Sequence, residues 1–263
     1  MSRLTELQER RAHECRLTAD RALESIDAAE AFARDRGLLT RAADSALPSF
    51  FEACHEDPYA PGSGGFGQWP ATKWPWFGEL AKRPGLRLVK VHNGKHLLVT
   101  DAVARLLDPI CRSELERMGG ADSDWALVLG HLAAAGPSEP ADLQRELGLK
   151  PKDLKRIRLP LERCGAVVSR SVVHATTDGG HRHTSELARW DQVFPAQPDN
   201  PDALEDLLVA SVRAAVVAPE RELPRWFSWR WDVAGRAMST GLAAGLVQKG
   251  RLERPEPGWV AAP

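Results

Sequence analysis

Apolar and polar positions along the 263-residue chain change period several times, and each change marks an element. Residues 5–23 read as a charged helix and residues 27–36 as a second one, capped by Ser25 or Asp27 and stopped at Gly37. Pro48 opens a short helix through Phe51 and Ala53. Pro58, Pro61, Gly62, Gly64, Gly65 and Gly67 then make an irregular loop. Strand-like runs at 86–91 and 95–100 flank Asn93-Gly94, a pair that suits the positive φ angles of a tight hairpin turn. Residues 101–117 form an amphipathic helix, and Gly119-Gly120 mark a boundary.

The next stretch predicts a helix at 125–135, a second at 139–147, a turn at Gly148 and a third helix at 151–164. Strands at 166–173 and 182–188 follow, joined by Asp178-Gly179-Gly180. Three helices followed by a hairpin is the order of a winged helix, and Gly148 suits the left-handed turn between the second and third helices. Pro195 to Pro201 is polar and proline-rich and separates a last unit. There 204–218 reads as a helix, 220–226 as a second and 232–249 as a third, with strands on either side of 255–258. The middle and last units thus form a weak repeat. The expected fold is mainly α with small β-hairpins (α+β), in three tandem winged-helix units: an N-terminal domain over 1–120 carrying the Gly/Pro/Trp loop, a central one over 121–195 and a C-terminal one over 196–263.

On a wheel of about 100° per residue, Leu154, Ile157, Leu161 and Cys164 share one arc of the 151–164 helix, and Lys152, Lys155, Arg156 and Arg163 the opposite one. One face packs; the other offers cations to phosphates and base edges in a major groove wide enough for a helix. Lys150, Arg158 and Arg170 flank it, Arg182 and three histidines lie on the hairpin, and only Asp153 and Glu162 oppose. The candidate DNA-binding residues are therefore Lys150, Lys152, Lys155, Arg156, Arg158, Arg163, Arg170 and Arg182. Read blandly, the same arc is a solvated basic face. Pro160 lacks the amide hydrogen an interior helical residue donates, so it is expected to kink or shorten the helix.

Composition changes this picture little. A formal charge of −1 means that nucleic-acid binding has to come from segregated charge. A mean hydropathy of −0.34 and short apolar runs predict a soluble cytoplasmic protein with no membrane partner. Cys15, Cys54, Cys111 and Cys164 form no CxxC pair, so free thiols and no metal or other cofactor are expected.

The run from Leu161 to Arg170, with Leu161-Glu162, Gly165 and the apolar Ala166-Val167-Val168, resembles the recognition-helix-into-wing segment of MarR-type winged-helix regulators. Along most of its length the chain resembles the AlkZ-related proteins, relatives of the AlkZ/YcaQ DNA glycosylases. The residues that carry this are Trp74-Pro75-Trp76 with Glu79-Leu80, Gly94-Lys95, Gly136-Pro137-Ser138, and His183 to Leu187 leading to Trp190-Asp191. The resemblance implies three winged helices stacked into a surface that embraces double-stranded DNA. It also implies a Gln-x-Gln or Gln-x-Asp motif near the N-terminus that directs water onto the sugar of an alkylated nucleotide. That motif is missing: the nearest counterpart, Gly37-Leu38-Leu39 before Thr40-Arg41-Ala42, has no carboxamide or carboxylate. The expected function is a non-catalytic, repair-associated or regulatory duplex-binding protein. The alternative is a glycosylase for alkylated or bulky bases with other catalytic residues, and a third reading is a protein-interaction scaffold.

Other groups admit two readings. Trp69, Trp74, Trp76 and Phe77 are expected to pack a core, with stacking on bases as the alternative. Core packing is also expected of Trp226, Phe227, Trp229 and Trp231. His174, His181 and His183 are expected to make a solvated hairpin tip rather than a metal site, no acidic partner being near in sequence. Cys54-His55 adjoin in sequence, whereas catalytic thiol–imidazole pairs usually meet from distant segments.

Overall fold

The computed structural model describes residues 1–120, 122–175, 179–229 and 240–263. Asp178 and Trp231, and residues 232–239 of the helix expected at 232–249, lie outside these residues.

The first helix, α1 (Arg3–Glu14), is shorter than its pattern. Cys15 caps it, buried against the carbonyl of Ala214 at 3.6 Å, and Arg16 turns the chain at a φ of 56°. In α2 (Ile26–Arg36) the Ser25 hydroxyl accepts from the Ala28 amide at 3.1 Å, and Gly37 ends the helix. Strand β1 (Leu38–Thr40) follows, then the short helices α3 (Phe50–Ala53) and α4 (Trp76–Leu80), and the hairpin β2 (Leu86–His92) and β3 (Lys95–Thr100). The sheet order is β1-β3-β2. Alternate residues enter different cores: Leu38, Val89, Val91, Leu97 and Val99 join the large one, while Leu39, Leu86 and Leu98 pack with Phe32, Phe50 and Phe77.

Helix α5 (Asp101–Gly119) is the central beam, packing on the hairpin and on the helices that follow. The second group is α6 (Asp124–Ala135), α7 (Pro140–Leu147), α8 (Pro151–Cys164), β4 (Val167–Ala175), β5 (His181–Arg189) and the single turn α9 (Trp190–Val193). Gly148 takes the left-handed conformation expected of it, at a φ of 65°. Ser138, before α7, exchanges both backbone hydrogen bonds with Leu187 on β5, at 2.9 Å each. Pro160 does not end α8. Ile157 and Leu161, buried on either side of it, hold the helix on to Cys164.

The third group holds α10 (Ala203–Ala215), β6 (Val217–Pro219), a 3-10 turn at Glu220–Arg225, α11 (Thr240–Gln248) and β7 (Trp259–Ala261). The apolar run expected to be helical to 218 breaks at Val216, whose φ of 67° swings the chain into β6. That conformation is uncommon for a β-branched residue. Here Val216 is buried beside Leu4 and Leu7 of α1, which closes the last sheet from outside.

Pairing recurs across the three groups. β1 pairs with β3, Ser138 with β5 and β6 with β7, so the short segment after each leading helix always meets the last strand. In the third group Glu253 bridges Ala261 on the other side of β7. The groups also share a core, since one cluster of buried residues runs from Leu38 to Val260. On α5 the buried Asp108 accepts from Arg112, from the Trp190 indole at 2.7 Å and from the Gln197 amide at 2.8 Å. It thereby ties the segment around Pro195 to α5. Among the described residues no helix is long and apolar enough to cross a membrane.

Candidate nucleic-acid interface

Helix α8 is divided as its wheel predicts. Leu154, Ile157, Leu161 and Cys164 are buried, while Lys150, Lys152, Lys155, Arg156 and Arg163 are exposed. Pro151 at the first turn supplies a fixed φ and needs no amide partner there, so it starts α8 between the exposed Lys150 and Lys152.

Ion pairing separates the eight predicted residues into two sets. Arg170 pairs with Glu186 directly across the hairpin at 2.7 Å, and Arg182 with Glu139 at 3.5 Å. Arg158 lies 3.6 Å from Glu162 and reaches the Ser185 hydroxyl on β5 at 3.5 Å, which ties α8 to the hairpin. Arg156 meets Asp124 at 2.9 Å, but both side chains are more than half exposed, so solvent weakens the pair. Lys150, Lys152, Lys155 and Arg163 make no ion pair with any described residue. The uncompensated charge therefore sits on α8, more than on the hairpin.

Two glutamates hold the unit together. Glu162 is buried, and its carboxylate takes a hydrogen bond from Lys90 on β2 at 2.8 Å, docking α8 onto the first sheet. Glu139 is the acidic partner that sequence distance hid: it contacts both His174 and Arg182 and holds the hairpin against the start of α7. His181 and His183 are exposed, and among the described residues no group of three or more His, Cys, Asp or Glu could hold a metal ion.

The β2–β3 hairpin is enclosed between the other groups. His92 is buried, donating to the Trp226 carbonyl and meeting Asp44 at 2.9 Å. Ser228 donates its amide to the Val91 carbonyl at 2.8 Å, and the Trp229 indole donates to the Cys164 carbonyl at 3.1 Å. Trp226, Phe227 and Trp229 are thus core residues, as expected, and they lock the third group onto the first two. Burial pushes the Asp44 carboxyl up, but hydrogen bonds from His92 and Lys95 outweigh it and bring the group down to about 2.

The motif position before Arg41 is apolar in space as well as in sequence. Leu38 and Leu39 lie in β1 and point into the two cores, so neither presents a polar atom to a bound sugar. Cys54 is buried, which pushes its thiol up to about 12. His55 turns away, its ring nitrogen 2.7 Å from the Arg16 carbonyl, so the pair is no nucleophile and base. Of the first aromatic group only Phe77 is fully in the core, while Trp69, Trp74 and Trp76 are half-buried.

Compared with family models, with characterised proteins and with solved structures, the chain finds no match.

Proposed function

We propose that this chain is a double-stranded-DNA-binding protein of three tandem winged-helix units that holds a duplex through the exposed cationic face of α8. The observation that carries the reading is that face: Lys150, Lys152, Lys155 and Arg163 stand exposed and unpaired on a helix whose other side is fully packed. The recurrent pairing of a short segment with the last strand supports the winged-helix assignment in all three units, including the last, where the hairpin is short. The β4–β5 hairpin is then the wing beside the recognition helix, as the geometry of such units requires. The apolar β1 favours holding DNA over excising a base, and the role is repair-associated or regulatory.

The test is a titration of full-length protein with duplex at several salt concentrations. If those four cations each meet a phosphate, log K falls against log salt with a slope of about −3 to −4. Absence of binding, or binding with no salt slope, refutes the proposal. Incubation with alkylated duplex, followed by heat and base to reveal abasic sites, decides the glycosylase alternative; cleavage would make the protein an enzyme with a centre other than β1.

A further inference from the structure

One group of side chains has no part in the duplex contact just proposed: the aromatic residues of the loop between α3 and α4. Tyr59, Phe66, Trp69 and Trp74 contact one another ring to ring, with Tyr59–Phe66 at 5.1 Å, Phe66–Trp69 at 4.8 Å and Phe66–Trp74 at 5.1 Å between centroids. Phe51 lies beneath Trp69 at 5.5 Å. The loop is braced despite its glycines. Tyr59 donates its amide to the Trp69 carbonyl at 2.7 Å, Ala60 to that of Gly67 at 2.8 Å, and Glu56 accepts from the Thr72 and Lys73 amides. Yet the rings are not a core: Tyr59 is 58% and Phe66 43% exposed.

Arg41 lies over the Trp69 ring at 4.3 Å from its centroid and makes no ion pair with a described carboxylate. His96 is held neutral by burial and by the charges of Lys90 and Arg41, and Lys90 meets Glu162 of α8. Two exposed rings and one guanidinium make a surface for one or two planar groups, far smaller than a stable protein interface. Rings of this kind stack on any base, and an arginine beside them adds a cation for the base or its phosphate.

We infer that Tyr59, Phe66, Trp69 and Arg41 form a stacking platform for an unpaired nucleobase, so that the protein prefers duplex containing extruded or bulged bases to perfect duplex. This rests on the duplex reading above. The test titrates full-length protein against a labelled duplex, the same duplex with a bulge of a few 2-aminopurine nucleotides, and the bulged strand alone. The bulged duplex binds about tenfold more tightly than the perfect one, and 2-aminopurine emission is quenched on binding. Y59L/F66L, which keeps apolar bulk without the rings, removes the preference while perfect-duplex affinity stays; a matched melting temperature for Y59L/F66L and wild type confirms that the fold is intact. Equal affinity of the wild type for both duplexes overturns the platform and leaves the duplex reading standing. Quenched binding of the single strand with no duplex binding overturns the duplex reading and keeps the platform. Binding to none of the three overturns both.

Discussion

At the scale of single residues, two glycines with similar φ angles separate conformational from steric cost. Gly148 and Gly165 both end helices in the left-handed region, at 65° and 83°. A Cβ on Gly148 would meet nothing within 4 Å, whereas one on Gly165 would come within 2.4 Å of the Cys111 sulfur and 3.2 Å of Val91. Gly148→Ala is expected to cost about 1–2 kcal/mol, the price of the backbone conformation alone. Gly165→Ala adds overpacking against the buried α5 and should cost about 2–5 kcal/mol. Urea midpoints with unchanged slopes would measure both, and equal losses would mean that the α5–α8 contact yields. His96 supplies a pH dependence. Burial first, then Lys90 and Arg41, push its imidazole down to about 4. Between about pH 6.5 and 4 the unfolded chain then binds a proton that the folded one refuses. Stability falls as pH drops through that window, by up to the order of 3 kcal/mol. His96→Gln should flatten that part of the stability profile, as denaturant midpoints across the window would show; an unchanged profile would place the titration elsewhere.

At the scale of elements, α8 was the most legible part of the chain, because a face four residues repeat along a helix is local information. The Asn93-Gly94 hairpin and the Ser25 cap were legible for the same reason. Glu162 was not: a glutamate on a helix flank reads as solvated, and it is the approach of Lys90 from β2, beside Arg158 on α8 itself, that makes its burial tolerable. β1 and β6 were missed because three-residue strands carry too few positions for a period, and the turn at Val216 because nothing in an apolar run announces a positive φ. Two variants test what α8 does. Replacing Lys150, Lys152, Lys155 and Arg163 together by glutamine should lower duplex affinity by more than about tenfold and flatten the salt slope, with melting unchanged because the four are exposed. Pro160→Ala restores an amide donor for the Arg156 carbonyl and is expected to raise stability by about 1–3 kcal/mol, with DNA affinity unchanged. A destabilised Pro160→Ala protein would mean that the helix is bent to fit its neighbours and that straightening it costs packing.

At the scale of the whole molecule, boundaries drawn from glycine pairs and proline-rich stretches concern the covalent chain, while stability follows the core. Around 119–120 and 195–201 the sequence has linker composition, but Met118 and Phe194 are buried in the same cluster as Leu38 and Val260. The buried Asp108 fastens the second of these stretches to α5. The first hairpin lies inside the assembly, with His92 against Trp226 and Val91 against Ser228, so unfolding the third group would strip partners from the first. Groups that cannot separate without exposing a shared core unfold together. We therefore expect one calorimetric transition for the full chain, with calorimetric and van 't Hoff enthalpies equal and tryptophan emission and far-ultraviolet dichroism coincident. Trp229→Ala removes a buried ring and the indole donor to the Cys164 carbonyl and should cost about 3–5 kcal/mol. Because the link it breaks joins the third group to α8, the same variant should also split the single transition, the last group melting first. Two transitions already present in the unaltered protein would show instead that each group keeps its own core, and that the contacts around His92 and Trp229 are a docking surface between independently folded units.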